Sequence, residues 1–389
     1  MIRLAQRVTA TSPKNFGMYE KAAKLAAGGV DLIHLELGRP CHDTPAHIKE
    51  ATIAALRAGD VHYSDIAGLA PLREAFARKL RSENGIDLGA NEIVVTNGLT
   101  QASFATFLAL LDPGDEAILL SPYYPQHVGK IELAGAKVIL APLDRENGFR
   151  IDADLVRPLI TGRTRMIVLI NPCNPTGRVY SREELEDLAR LAIEHNLIVV
   201  SDEVYEKILF DDARHTSIAS LPGMKERTVS LFALTKAYAM DGWRLGFVAA
   251  ERAIIAGILK IHANELSHVN TFIQADALAA IAGDQQPLLD MVADDQRKRD
   301  LLVRRLNQMK NVRCASPEGT IYAFPDISRT GLTSQQAAEK ILEDVGVVVE
   351  AGSFYGEQGE GFLRICFGSQ SHERLEAALD RLETFFAAT

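Results

Sequence analysis

The sequence is poor in cysteine, with four in 389 residues, and it has no apolar run close to the roughly 20 residues that a transmembrane helix needs. The cysteines form no C-x-x-C pair and are too few to cross-link a chain of this length; they are Cys41, Cys173, Cys314 and Cys366. Residues 1–7 lack the apolar core of a signal peptide. These absences predict a cytoplasmic protein that is neither secreted nor embedded in a membrane.

Positive charge is not in excess either. Lys and Arg together number 42 and Asp and Glu 51, which gives a formal net charge of -9. A protein with this balance lacks the electrostatic footprint of a general nucleic-acid binder. Anionic small molecules remain candidates, because a pocket can be positive while the whole surface is not.

What the sequence does contain is a repeated pattern between about residues 90 and 250. Short apolar runs alternate there with turns and helical patterns; the runs are 92–96, 117–120, 137–140, 166–170, 197–200, 229–232 and 246–249. Runs that are apolar on both faces and are separated by helical crossovers predict an α/β fold, a mostly parallel seven-stranded sheet between helices.

After about Pro287 the pattern changes to a long charged helix, short strands and a last helix from about Ser371. This mixture predicts a smaller α+β domain, which agrees with a length two to three times that of one typical domain. We expect residues 1–45 to form an N-terminal arm and part of the small domain. Residues 46–285 would form the large, ligand-binding domain, and residues 286–389 the small C-terminal domain.

In an open parallel sheet, ligands bind beyond the carboxyl ends of the strands. Segment 98–100 (Gly-Leu-Thr) opens a helix after the first run, where exposed backbone N–H groups suit a phosphate, although most such turns bind nothing. After the second run, Tyr124 could stack on a planar cofactor or pack against a loop. Asn174 lies in loop 171–177, which two prolines stiffen.

Two charged residues follow later runs directly. A carboxylate at Asp202 would be costly to bury unless it is paired, although it could also cap the next turn, and Tyr205 could share its face. Lys236 follows the sixth run, where desolvation lowers the pKa of an amine and makes it a competent nucleophile. Arg244 comes soon after it.

Together these motifs resemble the class I/II aminotransferases, the aspartate aminotransferase-like, fold type I family of pyridoxal-phosphate-dependent enzymes. The resemblance extends over almost the whole chain, and it is carried by segments 37–40, 43–45, 171–177, 201–205 and 236–246, with Tyr63 and Arg364. Single motifs of this kind recur by chance, whereas their joint order and spacing do not.

The resemblance implies that Lys236 is the Schiff-base lysine for pyridoxal 5'-phosphate and the shuttle for the substrate α-proton. Asp202 would pair with the pyridine nitrogen and keep it protonated. Asn174 and Tyr205 would hydrogen-bond the phenolic oxygen of the ring, and Tyr124 would stack on the ring.

For the phosphate, the resemblance implies that Arg244 supplies charge and that segment 98–100 (Gly98, Leu99 and Thr100) supplies backbone donors and a hydroxyl. Many relatives carry a serine ligand three residues before the lysine. This chain has Ala233 there, so Thr235 would contribute more to phosphate binding. Tyr63 matches a tyrosine that reaches the phosphate of the neighbouring subunit, which implies a homodimer with shared active sites.

For the substrate, Arg364 would grip the α-carboxylate in two places, with Asn174 beside it, and Gly38 would let the backbone approach the same group. A subset that handles acidic substrates has lysine at the position of Thr100, and its absence argues against aspartate as the substrate. Arg39 could receive a distal carboxylate instead, or it could be a surface arginine bordering the pocket. No metal is expected, because the histidines show no ligand spacing.

The sequence therefore predicts an aminotransferase that moves an amino group from an L-amino acid to a 2-oxo acid, namely 2-oxoglutarate, by a ping-pong mechanism. The alternative is a carbon-sulfur β-lyase on the same fold, which would share Arg364 and Gly38. A sensor domain fused to a DNA-binding module is disfavoured, because the resemblance begins near the first residue and Lys236 is present.

Overall fold

A computed structural model describes residues 3–12 and 17–389, and these residues form an α/β architecture. The strands are β1 (Ile33–His34), β2 (Ile93–Thr96), β3 (Glu116–Ser121), β4 (Lys137–Pro142), β5 (Thr164–Ile170), β6 (Ile198–Asp202), β7 (Thr228–Ala233), β8 (Gly246–Ala249), β9 (Tyr322–Ala323), β10 (Val347–Val348), β11 (Glu350–Ala351) and β12 (Leu363–Cys366). The helices are α1 (Gln6–Ala10), α2 (Tyr19–Ala26), α3 (Ala46–Ala58), α4 (Ala70–Lys79), α5 (Gly98–Leu110), α6 (Gln126–Leu133), α7 (Ala153–Val156), α8 (Arg182–Glu194), α9 (Arg252–Glu265), α10 (Thr271–Ala282), α11 (Gln286–Leu306), α12 (Ser334–Val345) and α13 (His372–Ala388).

The central sheet has seven strands in the order β2-β8-β7-β6-β5-β3-β4. Strand β8 runs antiparallel to its two neighbours, and the other pairs are parallel. The sequence prediction of a mostly parallel seven-stranded sheet is therefore confirmed. The apolar runs are apolar on both faces because helices cover both: α5 and α9 pack on one face, and α3, α4 and α10 on the other.

Local capping fixes where the flanking helices begin. The Ser181 hydroxyl accepts a hydrogen bond from the Glu184 N–H at 3.2 Å, and the Glu184 carboxylate accepts one from the Ser181 N–H at 2.8 Å. This reciprocal capping box starts α8. At α13 the Ser371 hydroxyl accepts a hydrogen bond from the Arg374 N–H, so the predicted last helix begins where expected.

The C-terminal elements form a three-stranded antiparallel sheet in the order β11-β12-β9, and β1 pairs in parallel with β10. The chain beyond β1 continues this pairing, because the Leu35 N–H donates to the Val348 carbonyl at 2.8 Å and the Cys366 N–H donates to the Leu35 carbonyl at 2.7 Å. The N-terminal segment thus lies against C-terminal strands, and the predicted boundaries at residues 45 and 285 stay predictions.

Two small strands differ from the sequence interpretation. The run 320–324 is extended only at β9, because Thr320 has a left-handed φ of 68° and its hydroxyl accepts a hydrogen bond from the Tyr322 N–H. The run 347–350 is divided at Val349, since β10 pairs with β1 while β11 pairs with β12. Among the described residues, none of the helices has the length and apolar character that crossing a bilayer requires.

Candidate active site

A cavity of about 340 Å³ opens at the carboxyl ends of the parallel strands, where an open α/β sheet places its ligands. Most of the predicted site residues line it, namely Gly38, Leu99, Thr100, Tyr124, Asn174, Asp202, Tyr205, Thr235, Lys236, Arg244 and Arg364. The carboxyl ends of successive strands meet at this edge, so residues far apart in sequence converge. Gly98, Arg39 and Tyr63 are not among the lining residues.

Lys236 lies just beyond the end of β7, and its ammonium donates a hydrogen bond to the Gly38 carbonyl. Burial lowers the pKa of Lys236, and the nearby charges of Arg364 and Arg244 act in the same direction. A larger fraction of this amine is therefore neutral at neutral pH than for a surface lysine. The neutral amine is the form that attacks an aldehyde.

Asp202 is the last residue of β6 and is almost fully buried. One carboxylate oxygen accepts a hydrogen bond from the Val204 N–H at 3.2 Å, and the other lies 3.6 Å from His127 Nε2. The His127 ring packs edge-on against Tyr124, with centroids 5.4 Å apart, and against Phe107. Burial lowers the pKa of His127, so the ring is mainly neutral beside the carboxylate.

His127 is a site residue that sequence reasoning missed. Its signal is weak: it comes three residues after Tyr124, at the start of α6, and a single histidine on a helix is more often a core residue. Among the described residues, neither ring nitrogen has a hydrogen-bond partner. The Asp202 carboxylate is the acidic group beside it, so His127 is placed to orient that carboxylate toward the cavity.

A hydroxyl pair closes another side of the cavity. The Tyr205 and Tyr322 hydroxyls lie 2.9 Å apart, and the rings meet edge-on. Burial raises the pKa of Tyr205 well above its usual value and that of Tyr322 to about 12. Both therefore stay neutral phenols that can donate a hydrogen bond to an anionic oxygen. Tyr322 was not singled out from the sequence, where it lies inside a predicted strand.

Asn174 lies in a loop whose Asn171-Pro172 and Asn174-Pro175 peptide bonds are both cis. Its side chain is buried, and its carbonyl oxygen accepts a hydrogen bond from Arg364 Nη1 at 3.4 Å. Asn174 therefore lies against Arg364 in the cavity that Tyr205 also lines. That position fits both the cofactor-binding and the substrate-binding role that the resemblance implies.

The start of α5 is shaped for an anion. Gly98 has a φ of +69°, and a Cβ there would come within 2.8 Å of Arg244 Nη2. Asn97, the residue before the helix, makes no side-chain cap hydrogen bond, so no side chain covers the first turn in the way Ser181 covers α8. Backbone N–H groups at a helix start, with a guanidinium against them, form a phosphate site.

Arg364 lies on β12 and is buried. Its guanidinium donates to the Glu36 carbonyl and lies 4.4 Å from the centre of the Tyr322 ring. Within the described residues its Nε has no hydrogen-bond partner. A Cβ on Gly38 would collide with the Tyr322 hydroxyl, so only glycine lets the backbone pass here. The planar Arg364 guanidinium and the backbone at Gly38 thus lie on the same side of the cavity, as binding of a substrate carboxylate requires.

Gly98 lies against Arg244 at the edge of the cavity, whereas the other two residues outside its lining, Tyr63 and Arg39, have no such contact with it. Tyr63 is 92% exposed and packs edge-on against His268, with ring centroids 5.2 Å apart. Its predicted contact is with a neighbouring subunit, so that role stays a prediction. Arg39 is exposed and follows Gly38 on the outside of the cavity wall. Both roles that the sequence left open for Arg39, a distal-carboxylate contact and a surface arginine bordering the pocket, stay predictions.

The donor set fits pyridoxal 5'-phosphate. The α5 start and Arg244 suit its phosphate, and the buried Asp202 suits a protonated ring nitrogen. The neutral phenol of Tyr205 suits the phenolic oxygen, and the amine of Lys236 suits the aldehyde.

Comparison with known proteins agrees with this chemistry. Residues 30–382 match the family model of aminotransferase class I and II. The chain is 41% identical to an aspartate aminotransferase of Pyrococcus abyssi, over 93% of this chain and 94% of that protein. It is 37% identical to an aromatic-amino-acid aminotransferase of Thermococcus litoralis, over 98% and 97%. The structure of aspartate aminotransferase from Thermus thermophilus with maleate superposes with a TM-score of 0.93 at 37% identity, over 99% and 100%.

The chain therefore belongs to the class I and II aminotransferases. It is a pyridoxal-phosphate-dependent aminotransferase of the fold that these enzymes share, and the lyase alternative is not favoured.

Proposed function

We propose that the cavity around Lys236 is the transamination site and that it moves the amino group of an L-amino acid to 2-oxoglutarate in two half-reactions. The observation that carries the proposal is the convergence of a half-buried amine, a buried carboxylate and a buried guanidinium in one cavity: Lys236, Asp202 and Arg364. These are the three groups that an amino acid and a pyridine cofactor need at once.

Pyridoxal 5'-phosphate, when bound, supplies an aldehyde for the amino group and a ring that accepts the electrons released at the substrate α-carbon. Burial lowers the pKa of Lys236 and so favours its neutral amine, which would take the proton from the α-carbon and then return it. Asp202 holds the proton on the ring nitrogen, with His127 Nε2 behind its carboxylate.

Arg364 positions the substrate. Its guanidinium is held by the Glu36 carbonyl on one side and by the Asn174 amide oxygen on the other. A carboxylate bound there is fixed in two places, which aims the neighbouring α-carbon at Lys236. Gly38 helps to position two side chains of the cavity. Its carbonyl accepts a hydrogen bond from Lys236, and its lack of a Cβ leaves room for the Tyr322 hydroxyl.

We further propose a cytoplasmic homodimer in which the partner's Tyr63 completes the phosphate site. Its ring is exposed and close in sequence to two other exposed apolar side chains, Val61 and Ile66. Three exposed apolar side chains within one short segment support a contact with another subunit there. The four free thiols agree with a reducing compartment.

A half-reaction screen tests the proposed function. Purified holoenzyme is mixed with each amino acid in turn, without a 2-oxo acid, and the cofactor absorption spectrum is recorded. We expect a spectral change with a subset of amino acids, stoichiometric release of the matching 2-oxo acid, and restoration of the first spectrum by 2-oxoglutarate. Pyruvate and ammonia released without an acceptor, or no change with any amino acid, would contradict the proposal.

A further inference from the structure

A group of polar side chains behind the wall of the cavity has no part in the scheme above. At its centre is His215, which lies in the connection between β6 and β7 and whose side chain is 8% exposed. His215 Nε2 lies 2.8 Å from the Glu203 carboxylate, and His215 Nδ1 lies 3.4 Å from Asn171 Nδ2. These three side chains are not among the cavity lining, but Glu203 and Asn171 directly follow residues that are, Asp202 and Ile170.

The other contacts of Asn171 determine which nitrogen of His215 carries the hydrogen. Asn171 Oδ1 accepts a hydrogen bond from the Tyr180 N–H at 3.1 Å, and Asn171 Nδ2 donates to the Thr216 carbonyl at 3.3 Å. The amide group that faces His215 is therefore a donor, so His215 Nδ1 accepts. His215 Nε2 then carries the hydrogen and donates it to Glu203. A neutral imidazole in this tautomer satisfies both contacts.

On the Nε2 side, His215 holds the segment that carries two of the cofactor-facing groups. Glu203 is 1% exposed and lies between Asp202 and Tyr205 in the chain. The Ser217 hydroxyl donates to the same Glu203 carboxylate oxygen as His215. Because successive extended residues point to opposite sides, this anchor holds the segment from behind while Asp202 faces the cavity.

On the Nδ1 side, His215 holds the loop that carries Asn174. The Asn171 side chain bridges His215 and the Tyr180 N–H, and Tyr180 lies just beyond the end of loop 171–177. The Asn171 backbone N–H donates to the Asp202 carbonyl at 3.0 Å. The loop of Asn174 is therefore tied at its base to the end of β6, and His215 connects the two side chains that anchor them.

The hydrogen bonds continue away from the cavity to the end of α4. Asn84 Nδ2 donates to the Ser217 hydroxyl at 2.9 Å and to Glu206 Oε2 at 2.6 Å. Lys79, the last residue of α4, donates to Asn84 Oδ1 at 2.8 Å and forms an ion pair with Glu206. Connected polar contacts in a buried setting restrict one another's movement, so the anchor of Glu203 rests on a helix of the large domain.

We propose that His215 is a positioning residue which, through Glu203 and Asn171, fixes the Tyr205 hydroxyl and the Asn174 amide relative to each other. This inference rests on the proposed function, because these are the two groups expected at the phenolic oxygen of the cofactor ring. Donors on that oxygen favour its ionised form. Displacing them raises the pKa at which the bound cofactor loses its proton, even though His215 itself does not touch the cofactor.

A pH titration of the cofactor absorption tests the inference without turnover. Spectra of the holoenzyme are recorded between about pH 5 and pH 10 for the wild type, His215→Phe and His215→Gln. Phenylalanine keeps a ring and loses both nitrogens, whereas glutamine keeps an N–H donor for Glu203. The matched control is His195→Phe, which removes an exposed histidine at the end of α8. The rate of cofactor release and the urea unfolding midpoint are measured on the same samples.

We expect His215→Phe to raise the pH midpoint of the absorption change by about 0.5–1 pH unit and to release the cofactor about 3–10-fold faster. His215→Gln should show a smaller shift, and His195→Phe should match the wild type. If His215→Phe fails to fold, Glu203→Gln replaces it. This variant keeps the shape of Glu203 and removes the charge that His215 and Ser217 hold, so its midpoint should shift in the same direction.

A lower urea midpoint with an unchanged absorption midpoint, in His215→Phe or in its replacement Glu203→Gln, would overturn the inference, because a histidine that only stabilises the fold gives that result. An equal shift in His195→Phe would overturn it as well. Failure of the proposed function shows itself differently. In that case the wild type gives no spectral half-reaction with any amino acid, whatever the residue at position 215.

Discussion

Glu350 and Arg364 are directly opposite each other on the neighbouring antiparallel strands β11 and β12. Residues so paired project to the same face of the sheet, so a buried carboxyl group stands beside the guanidinium that is expected to grip the substrate. Burial raises the pKa of Glu350 to about 7, although the charge of Arg364 opposes the shift. Below that pH Glu350 is neutral, and above it the carboxylate competes with the substrate for Arg364.

Substrate affinity should therefore fall as the pH rises through about 7. The change that tests this is Glu350→Gln, which keeps the shape and removes the titration. Calorimetric titration of butyrate between pH 6 and pH 8.5, roughly one to two pH units on either side of the transition, should show weakening in the wild type and a flat profile in the variant. Parallel profiles for the two proteins would show that another group sets the pH dependence.

Removing the guanidinium should weaken substrate binding more than it slows chemistry. For Arg364→Ala we expect kcat/KM to fall for every amino acid by an amount that corresponds to about 2–5 kcal/mol of lost transition-state binding, because a charged two-point contact is lost. Arg364→Lys keeps the positive charge but loses the paired N–H donors of the guanidinium, so it should recover only a small part of the lost kcat/KM. Steady-state kinetics with one acidic and one apolar donor measures both variants. An unchanged KM in Arg364→Ala would show that another residue binds the substrate α-carboxylate.

The carboxylate of Asp202 should matter more than the imidazole behind it. We expect Asp202→Asn to lower kcat by about 100-fold or more, because the amide cannot hold the proton on the ring nitrogen. His127→Phe keeps the packing against Tyr124 and Phe107 and removes the nitrogen 3.6 Å from the carboxylate, so its loss should be about 10-fold. The rate of the cofactor absorbance change in a single turnover with a good amino-acid donor distinguishes the two variants. Equal effects would mean that His127 has a more direct role.

Shared active sites predict complementation between two defective chains. Lys236→Ala lacks the amine, and Tyr63→Ala lacks the ring that the neighbouring subunit is expected to need. A refolded equal mixture contains hybrid dimers with one intact site, and about a quarter of wild-type activity should return at limiting cofactor. Each variant refolded alone is the control. If the mixture is no more active than the two separate samples, Tyr63 does not act across a dimer interface.

A buried carboxyl group outside the cavity gives a stability test. Asp276 on α10 accepts a hydrogen bond from the Thr52 hydroxyl at 3.2 Å, and burial raises its pKa to about 7. The folded protein thus holds a proton that the unfolded chain has lost between about pH 4 and pH 7, so this group's contribution to stability falls as the pH rises. Asp276→Asn removes the effect.

At pH 8 we expect Asp276→Asn to be more stable than the wild type by about 1–3 kcal/mol, and the difference should vanish near pH 4. Urea unfolding followed by circular dichroism at both pH values gives the comparison. A constant difference at the two pH values would mean that Asp276 does not titrate in this range.

Features that depend on local pattern could be read from the sequence. The seven apolar runs gave the central strands, and Lys236 and Asp202 were found because charged residues directly after buried runs are unusual. His127 and Tyr322 could not be found in this way. Each lies in an ordinary helix or strand pattern, and only the packing of α6 and β9 around the cavity brings it to the site.

The Arg364 side chain and the Glu36 carbonyl that holds it are 328 residues apart in the chain. Lys236, Asp202 and the start of α5, by contrast, all follow or end strands of the one central sheet, namely β7, β6 and β2. Contacts of such long sequence separation close the largest loops and form late. A refolding chain is therefore expected to hold its cofactor before it can hold its substrate.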